Sequence, residues 1–125
     1  MTHVVAIIPA KNSVDSVAAT VTALIETGAV GEVLVVDDGS VDGTGESAAK
    51  AGARVVGLDS NIGKGGAVAA GIASSGAPDS YLLVDADLGA SAGHAIKLLE
   101  PLKEDAADMT IAVFPSAGRS RGFGF

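Results

Sequence analysis

The chain has 125 residues, a length that fits one domain around a single core, and 48% of them are hydrophobic. Alanine and valine carry most of that apolar content and aromatic residues are only 3%, a composition that suits helices lying close on a sheet. The net charge of −7 opposes non-specific nucleic-acid binding, and zero cysteine excludes disulfides, thiolate metal sites and a cysteine nucleophile. No apolar run reaches the length of a membrane span and no basic region precedes the first apolar stretch, so a cytoplasmic protein without a signal peptide is expected.

In chain order, HVVAII at 3–8 predicts a short buried strand closed by Pro9. Val14, Val17, Ala18, Val21, Leu24 and Ile25 follow helical spacing, with Asn12 or Ser13 as N-cap and Gly28 and Gly31 as the stop. EVLVV at 32–36 is a second strand. Residues 41–51 form a second helix, capped by Ser40 or Asp42 and stopped by Gly52. Residues 54–57 are a third strand, 59–64 a loop, 65–75 a helix of small residues, and YLLV at 81–84 a fourth strand. Ala95, Leu98, Leu99 and Leu102 mark another helix, with Ser91 as cap and Pro101 as kink or stop, before a fifth strand at 109–114. The division expected is a domain over 1–114 and a flexible Gly- and Arg-containing tail over 115–125.

Strand and helix alternate four times, which predicts an α/β fold: a mostly parallel sheet with right-handed crossovers and both faces covered. Ligands in such sheets bind at the carboxyl ends of the strands. Four polar loops should therefore converge on one edge: Pro9-Ala10-Lys11-Asn12, Asp37 to Thr44, Asn61 to Gly66, and Asp85-Ala86-Asp87.

Asp85 and Asp87 are two apart on an extended segment, so both carboxylates can face one side. Two close carboxylates repel unless a cation sits between them, and Mg2+ or Mn2+ takes one or two protein carboxylates together with substrate phosphates. A solvated strand end fits the same pair. Asp38 follows a buried strand and can accept from a base N–H, with Gly39 allowing close backbone approach; the segment also fits a helix-capping Asx turn. A calcium loop starting at Asp38 fails, because its twelfth position is Ala49 where a bidentate Glu is required. Lys64 lies between glycines ahead of a helix, a setting for a phosphate or for a solvated loop lysine. It is not a Walker A lysine, since five residues separate Gly57 from Gly63 and Gly65 stands where Ser or Thr is needed. No G-x-G-x-x-G opens the first helix, which argues against a dinucleotide site.

Taken in order, IIPAKN, VVDDGSVDGT, NIGKGGAV and LLVDADLG resemble the family 2 glycosyltransferases of the GT-A fold, over nearly the whole chain up to Ala90. NIGKGGAV and DADLG look most like the polyprenyl-phosphate sugar synthases, and the sugar-phosphoglycerate synthases are also similar. The resemblance implies a three-layer α/β/α, Rossmann-like nucleotide-binding sheet. It places Pro9, Ala10 and Asn12 in the nucleotide pocket, Asp38 with Gly39 against the base, and Lys64 near the nucleotide. In the Asp85-Ala86-Asp87 turn, Asp85 would lie near the ribose or sugar, and Asp87, with Asp85, would hold Mg2+ or Mn2+ on the diphosphate.

Two departures stand out. Ser13 replaces the acidic residue that commonly follows the Asn of the first motif. The family's catalytic domain is also longer, so the chain is expected to be truncated after the fifth strand, with the acceptor site and general base outside it. Arg119 and Arg121 read as a basic tail; His3 starts a buried strand, and His94 reads as a surface or capping residue rather than a ligand.

The expected activity is metal-dependent transfer of a sugar from a UDP- or GDP-sugar to an acceptor such as a polyprenyl phosphate, in a parent protein peripheral to a membrane. The alternatives are a module that holds nucleotide and metal without turnover, and a sugar-phosphoglycerate synthase-like enzyme. A sugar-nucleotide pyrophosphorylase would need a Gly-rich, Arg-containing loop after the first strand, which PAKNS is not. A sheet cut short exposes an apolar edge, so a homodimer is also expected.

Overall fold

The computed structural model describes residues 3–28, 30–76, 78, 80–89 and 110–114. In chain order the elements are β1 (Val4–Ala10), α1 (Val17–Thr27), β2 (Glu32–Asp37), α2 (Thr44–Lys50), β3 (Arg54–Gly57), α3 (Lys64–Ser74), β4 (Ser80–Val84) and β5 (Thr110–Phe114). The strands form one sheet in the order β3-β2-β1-β4-β5, and every neighbouring pair is parallel.

Strand periodicity sorts the core into two halves. Val4, Ala6, Ile8, Val33, Val35, Leu82 and Val84 point to one face, where Val17, Val21 and Leu24 of α1 and Ala48 of α2 cover them. Val5, Ile7, Leu34, Val36, Tyr81 and Leu83 point to the other, under Ala67 and Val68 of α3. Two helices, a sheet and a helix therefore make the three expected layers. Fully buried Ile7, Ile8, Leu24, Leu34 and Leu82 each contribute about 1.5–3 kcal/mol of transfer free energy.

The connections locate the ligand edge. From β1 the chain moves outward through α1, β2, α2 and β3 on one side of the sheet, then returns across the opposite face through α3 to β4. Strand order reverses between β1 and β4, the switch point at which open α/β sheets hold ligands. β1 pairs with β2 as far as Ala10 opposite Asp37, whereas its pairing with β4 ends at Ile7 opposite Leu83. The sheet thus opens at its carboxyl edge.

The structure corrects three boundaries. Pro9 does not close the first strand: it pairs in register with Val36, beyond the last β1–β4 pair, so its missing N–H costs no bond on that side. Neither Asn12 nor Ser13 caps α1. Asn12 has φ +50, a left-handed conformation no helix can propagate, and residues 13–16 form a turn in which Ser16 and Val17 both donate to the Ser13 carbonyl. The N-cap is Ser16, and Val14 and Ile25 are exposed. The second helix starts at Thr44 rather than residue 41, because Gly43 adopts φ +88 at its N-cap and neither Ser40 nor Asp42 occupies that position. Val41 is 90% exposed. The expected helix around 95–102, its Ser91 cap, Pro101, His94, Met109, Arg119, Arg121 and the 115–125 tail lie outside the described residues.

Candidate functional site

Four strand-end loops meet at the open edge, held by polar contacts between residues 21 to 71 positions apart in the sequence. The first links the loops after β1 and β2. Asn12 donates its backbone N–H to Ser40 Oγ at 2.8 Å and accepts the Val41 N–H on Oδ1 at 2.9 Å. Ser13 N–H donates to Thr44 Oγ1 at 2.8 Å, and Val14 N–H to Asp42 Oδ2 at 3.3 Å. Asp42 also accepts from the backbone and the hydroxyl of Thr44. The Thr44 hydroxyl, ahead of the backbone donors, holds the Asp42 carboxyl below its ordinary pKa of 3.8.

The second contact joins β2 to the loop before α3. Asp38 is 4% exposed, and its two carboxylate oxygens accept the N–H groups of Ile62 at 2.7 Å and Gly63 at 2.9 Å. Charge-assisted bonds of this kind are short and strong. Gly39 is required beside it: its φ is +78 and a Cβ there would stand 3.1 Å from the Asn61 nitrogen. Asp37 turns the other way and accepts the Ser40 N–H at 2.9 Å.

The pocket framed by these loops has a volume of about 200 Å3 and is lined by Pro9, Ala10, Lys11, Asp38, Asn61, Gly63, Lys64 and Ala67. That is below the ~300–1,000 Å3 of a site for a whole drug-sized ligand, so it suits one part of a larger one. Pro9, Ala10, Asp38 and Lys64 were expected there from the motifs. Asn12 and Gly39 do not line it: they fix the loops that do.

Lys64 leads from the pocket to the turn after β4. Its Nζ lies 3.6 Å from Asp85 Oδ2, with the Asp85 carboxylate 12% exposed. Asp85 Oδ1 accepts the Asp87 N–H at 2.9 Å, so the first aspartate of the pair is bound inward on both oxygens. Asp87 is exposed. The pair is therefore unequal: Asp85 shapes the turn and anchors a lysine, while Asp87 presents a carboxylate outward. Among the described residues no group of three His, Cys, Asp or Glu side chains is placed to hold a metal. A cation here would take one or two carboxylates and complete its shell with water and ligand oxygens, the usual habit of Mg2+. The donor set fits that group.

Two polar residues behind the turn were not singled out in the sequence. Ser16 Oγ donates to the Ala86 carbonyl at 2.9 Å and lies 3.4 Å from Asp87 Oδ1. Thr20, wholly buried, places Oγ1 2.8 Å from the same carbonyl and accepts the Gly89 N–H at 2.8 Å. The available signal was their i, i+4 spacing, which puts two hydroxyls on one face of an otherwise apolar helix start.

Known proteins resemble this chain in sequence and in fold. The family described as glycosyl transferase family 2 matches residues 5–124. The glycosyltransferase AglJ of Haloferax volcanii is 38% identical over 96 residues, covering 77% of this chain and 31% of that protein. Glucosyl-3-phosphoglycerate synthase of Mycobacterium tuberculosis superposes with a TM-score of 0.72 at 26% identity, over 86% of this chain and 42% of the synthase. Mannosyl-3-phosphoglycerate synthase of Rubrobacter xylanophilus does so with a TM-score of 0.60 at 29% identity, over 69% of this chain and 31% of that one. The chain thus spans between about a third and two fifths of the length of these relatives. With the motifs, the parallel sheet and the family match in agreement, the chain belongs to glycosyl transferase family 2.

Proposed function

We propose that this chain forms the donor-binding portion of a metal-dependent glycosyltransferase that uses a nucleoside-diphosphate sugar, a UDP- or GDP-sugar. The observation that carries the reading is the Lys64–Asp85 ion pair, which joins the loop pocket to the 85–87 turn across the switch point. A base or ribose fits the pocket, and the diphosphate would run along the Gly-rich start of α3 past Lys64 toward Asp87. Asp87, with Asp85 beside it, would hold Mg2+ or Mn2+, which when bound offsets the charge of the leaving diphosphate. The M. tuberculosis synthase has been crystallised with Mn2+ and UDP-glucose, which supports the same donor and metal class here.

A polyprenyl-phosphate acceptor is supported by the NIGKGGAV and DADLG motifs, and places the parent protein at the cytoplasmic surface of a membrane. A phosphoglycerate acceptor is the second reading, supported by the likeness to the two phosphoglycerate synthases. Donor binding without turnover by this chain alone is the other reading, supported by the chain spanning about a third to two fifths of the length of its relatives. The domain over 1–114 and a homodimer through the sheet edge complete the proposal.

Calorimetry with UDP, GDP and CDP, with and without Mn2+, tests it on wild type and Asp87→Ala. Binding of one nucleotide should be at least tenfold tighter with Mn2+, and Asp87→Ala should remove that gain. Binding indifferent to the metal would defeat the reading. Turnover of the matching sugar nucleotide, lost in Asp87→Ala, would defeat the module without activity.

A further inference from the structure

We infer that Ser16 and Thr20 are positioning residues that set the 85–87 turn and so aim the Asp87 carboxylate at its metal. The inference rests on the reading of Asp87 as a metal ligand. Ser16 stands at the N-cap of α1, where a serine hydroxyl ordinarily accepts an N–H of the first turn. Here it makes no cap bond; the hydroxyl is turned away to the Ala86 carbonyl and toward Asp87 Oδ1. Thr20 lies one turn further along the same face. Its hydroxyl has one proton and two carbonyls within reach, Ala86 at 2.8 Å and Ser16 at 3.0 Å, and the shorter contact crosses to the turn. The same oxygen accepts the Gly89 N–H at 2.8 Å.

Asp87 is thus bracketed. The carbonyl before it and an N–H two residues after it are both fixed on one buried hydroxyl, and its own N–H is fixed on Asp85. Rotating the 86–89 backbone would strand buried polar groups. With the Ala86 carbonyl held inward, the Asp87 side chain is left facing out. The turn over residues 13–16 joins Lys11, on the pocket wall, to α1, so the support for the metal turn follows closely on the pocket in the chain. Removing groups that orient a ligating carboxylate typically costs about 10–100-fold in metal affinity.

The test titrates UDP into the 125-residue chain in Mn2+ and in a chelator, and reads the ratio of the two dissociation constants. Mn2+ alone is followed by electron paramagnetic resonance. Thr20→Val removes the hydroxyl at nearly constant volume, Thr20→Ser restores it, and Ser16→Ala removes the second contact without a cap bond to lose. The metal-linked ratio should shrink about tenfold or more in Thr20→Val and Ser16→Ala, with binding in chelator unchanged, and Thr20→Ser should keep it. A merely structural role would weaken binding equally with and without metal; that result, or an unchanged ratio, overturns the inference. If Thr20→Val fails to fold by circular dichroism, Ser16→Ala decides alone. Absence of metal dependence in wild type overturns the donor-site reading and this inference with it, and is distinct because it appears before any substitution.

Discussion

Asp38 and Asp42 show how a residue's partners decide its work. Asp38 lines the pocket, yet both its oxygens clamp the loop before α3. Any contact it makes with a ligand comes from a carboxylate already fixed in place, which is a preorganised acceptor rather than a mobile one. Asp42 clamps the opposite loop. Its carboxyl pKa is depressed in the folded chain, so its contribution to stability is present above 3.8 and is lost as the pH falls through the lower folded value. The difference in melting temperature between wild type and Asp42→Asn should therefore be constant well above pH 3.8 and narrow below it, in thermal scans followed by circular dichroism. A difference that stays constant through that acid range would show that the ionised form carries no share of the loop contact.

At the scale of elements, α3 lies so close to the sheet that only glycine fits at one point. A Cβ on Gly71 would stand 3.0 Å from methyl carbons of both Ile7 and Val36, which are fully buried and cannot retreat. Gly71→Ala gains roughly 1 kcal/mol in helix propensity but overpacks the core, at a cost of about 1–3 kcal/mol. The expected net result is destabilisation, read as a lower urea midpoint at unchanged slope. Gly66, in the first turn of the same helix, is the contrast. The nearest atoms a Cβ there would meet are those of the Ile62 side chain, at 2.9 Å; Ile62 is 53% exposed and has solvent to turn into, so Gly66→Ala should cost less than Gly71→Ala. The pair separates close packing from propensity within one helix.

Across the whole molecule, burial falls from the centre of the sheet to its β3 edge. Every residue of β1 and β4 is buried, whereas β3 is exposed at both ends and α2 buries only Thr44 and Ala48. Local opening follows that gradient. In native-state hydrogen exchange, peptides from β1 and β4 should exchange last and only by global unfolding, while those spanning α2 and β3 should exchange first. Equal protection across the sheet would contradict the gradient. The candidate site straddles it, with the 85–87 turn on the slow side and the loops after β2 and β3 on the fast one. A ligand bridging them should slow exchange chiefly in the latter.

The local patterns alone determined the alternation of strands and helices, the parallel sheet and the four polar loops at its edge. Apolar runs and glycine stops are short-range properties, and parallel strands oblige their ends to meet. The first helix was legible in its stripe but not in its start, because Asn12 is pulled into a left-handed conformation by partners 28 and 29 residues away. The roles within the site were decided only by tertiary structure. Asp85 and Asp87 are the same side chain two positions apart, and nothing local marks one as inward and paired to Lys64 and the other as outward. Nor could Thr20 be told from a helix-filling residue until the turn 66 positions later was folded against it. Propensity and periodicity act between neighbours; a hydroxyl's choice of partner is fixed by which backbone carbonyl the completed core brings within hydrogen-bonding distance.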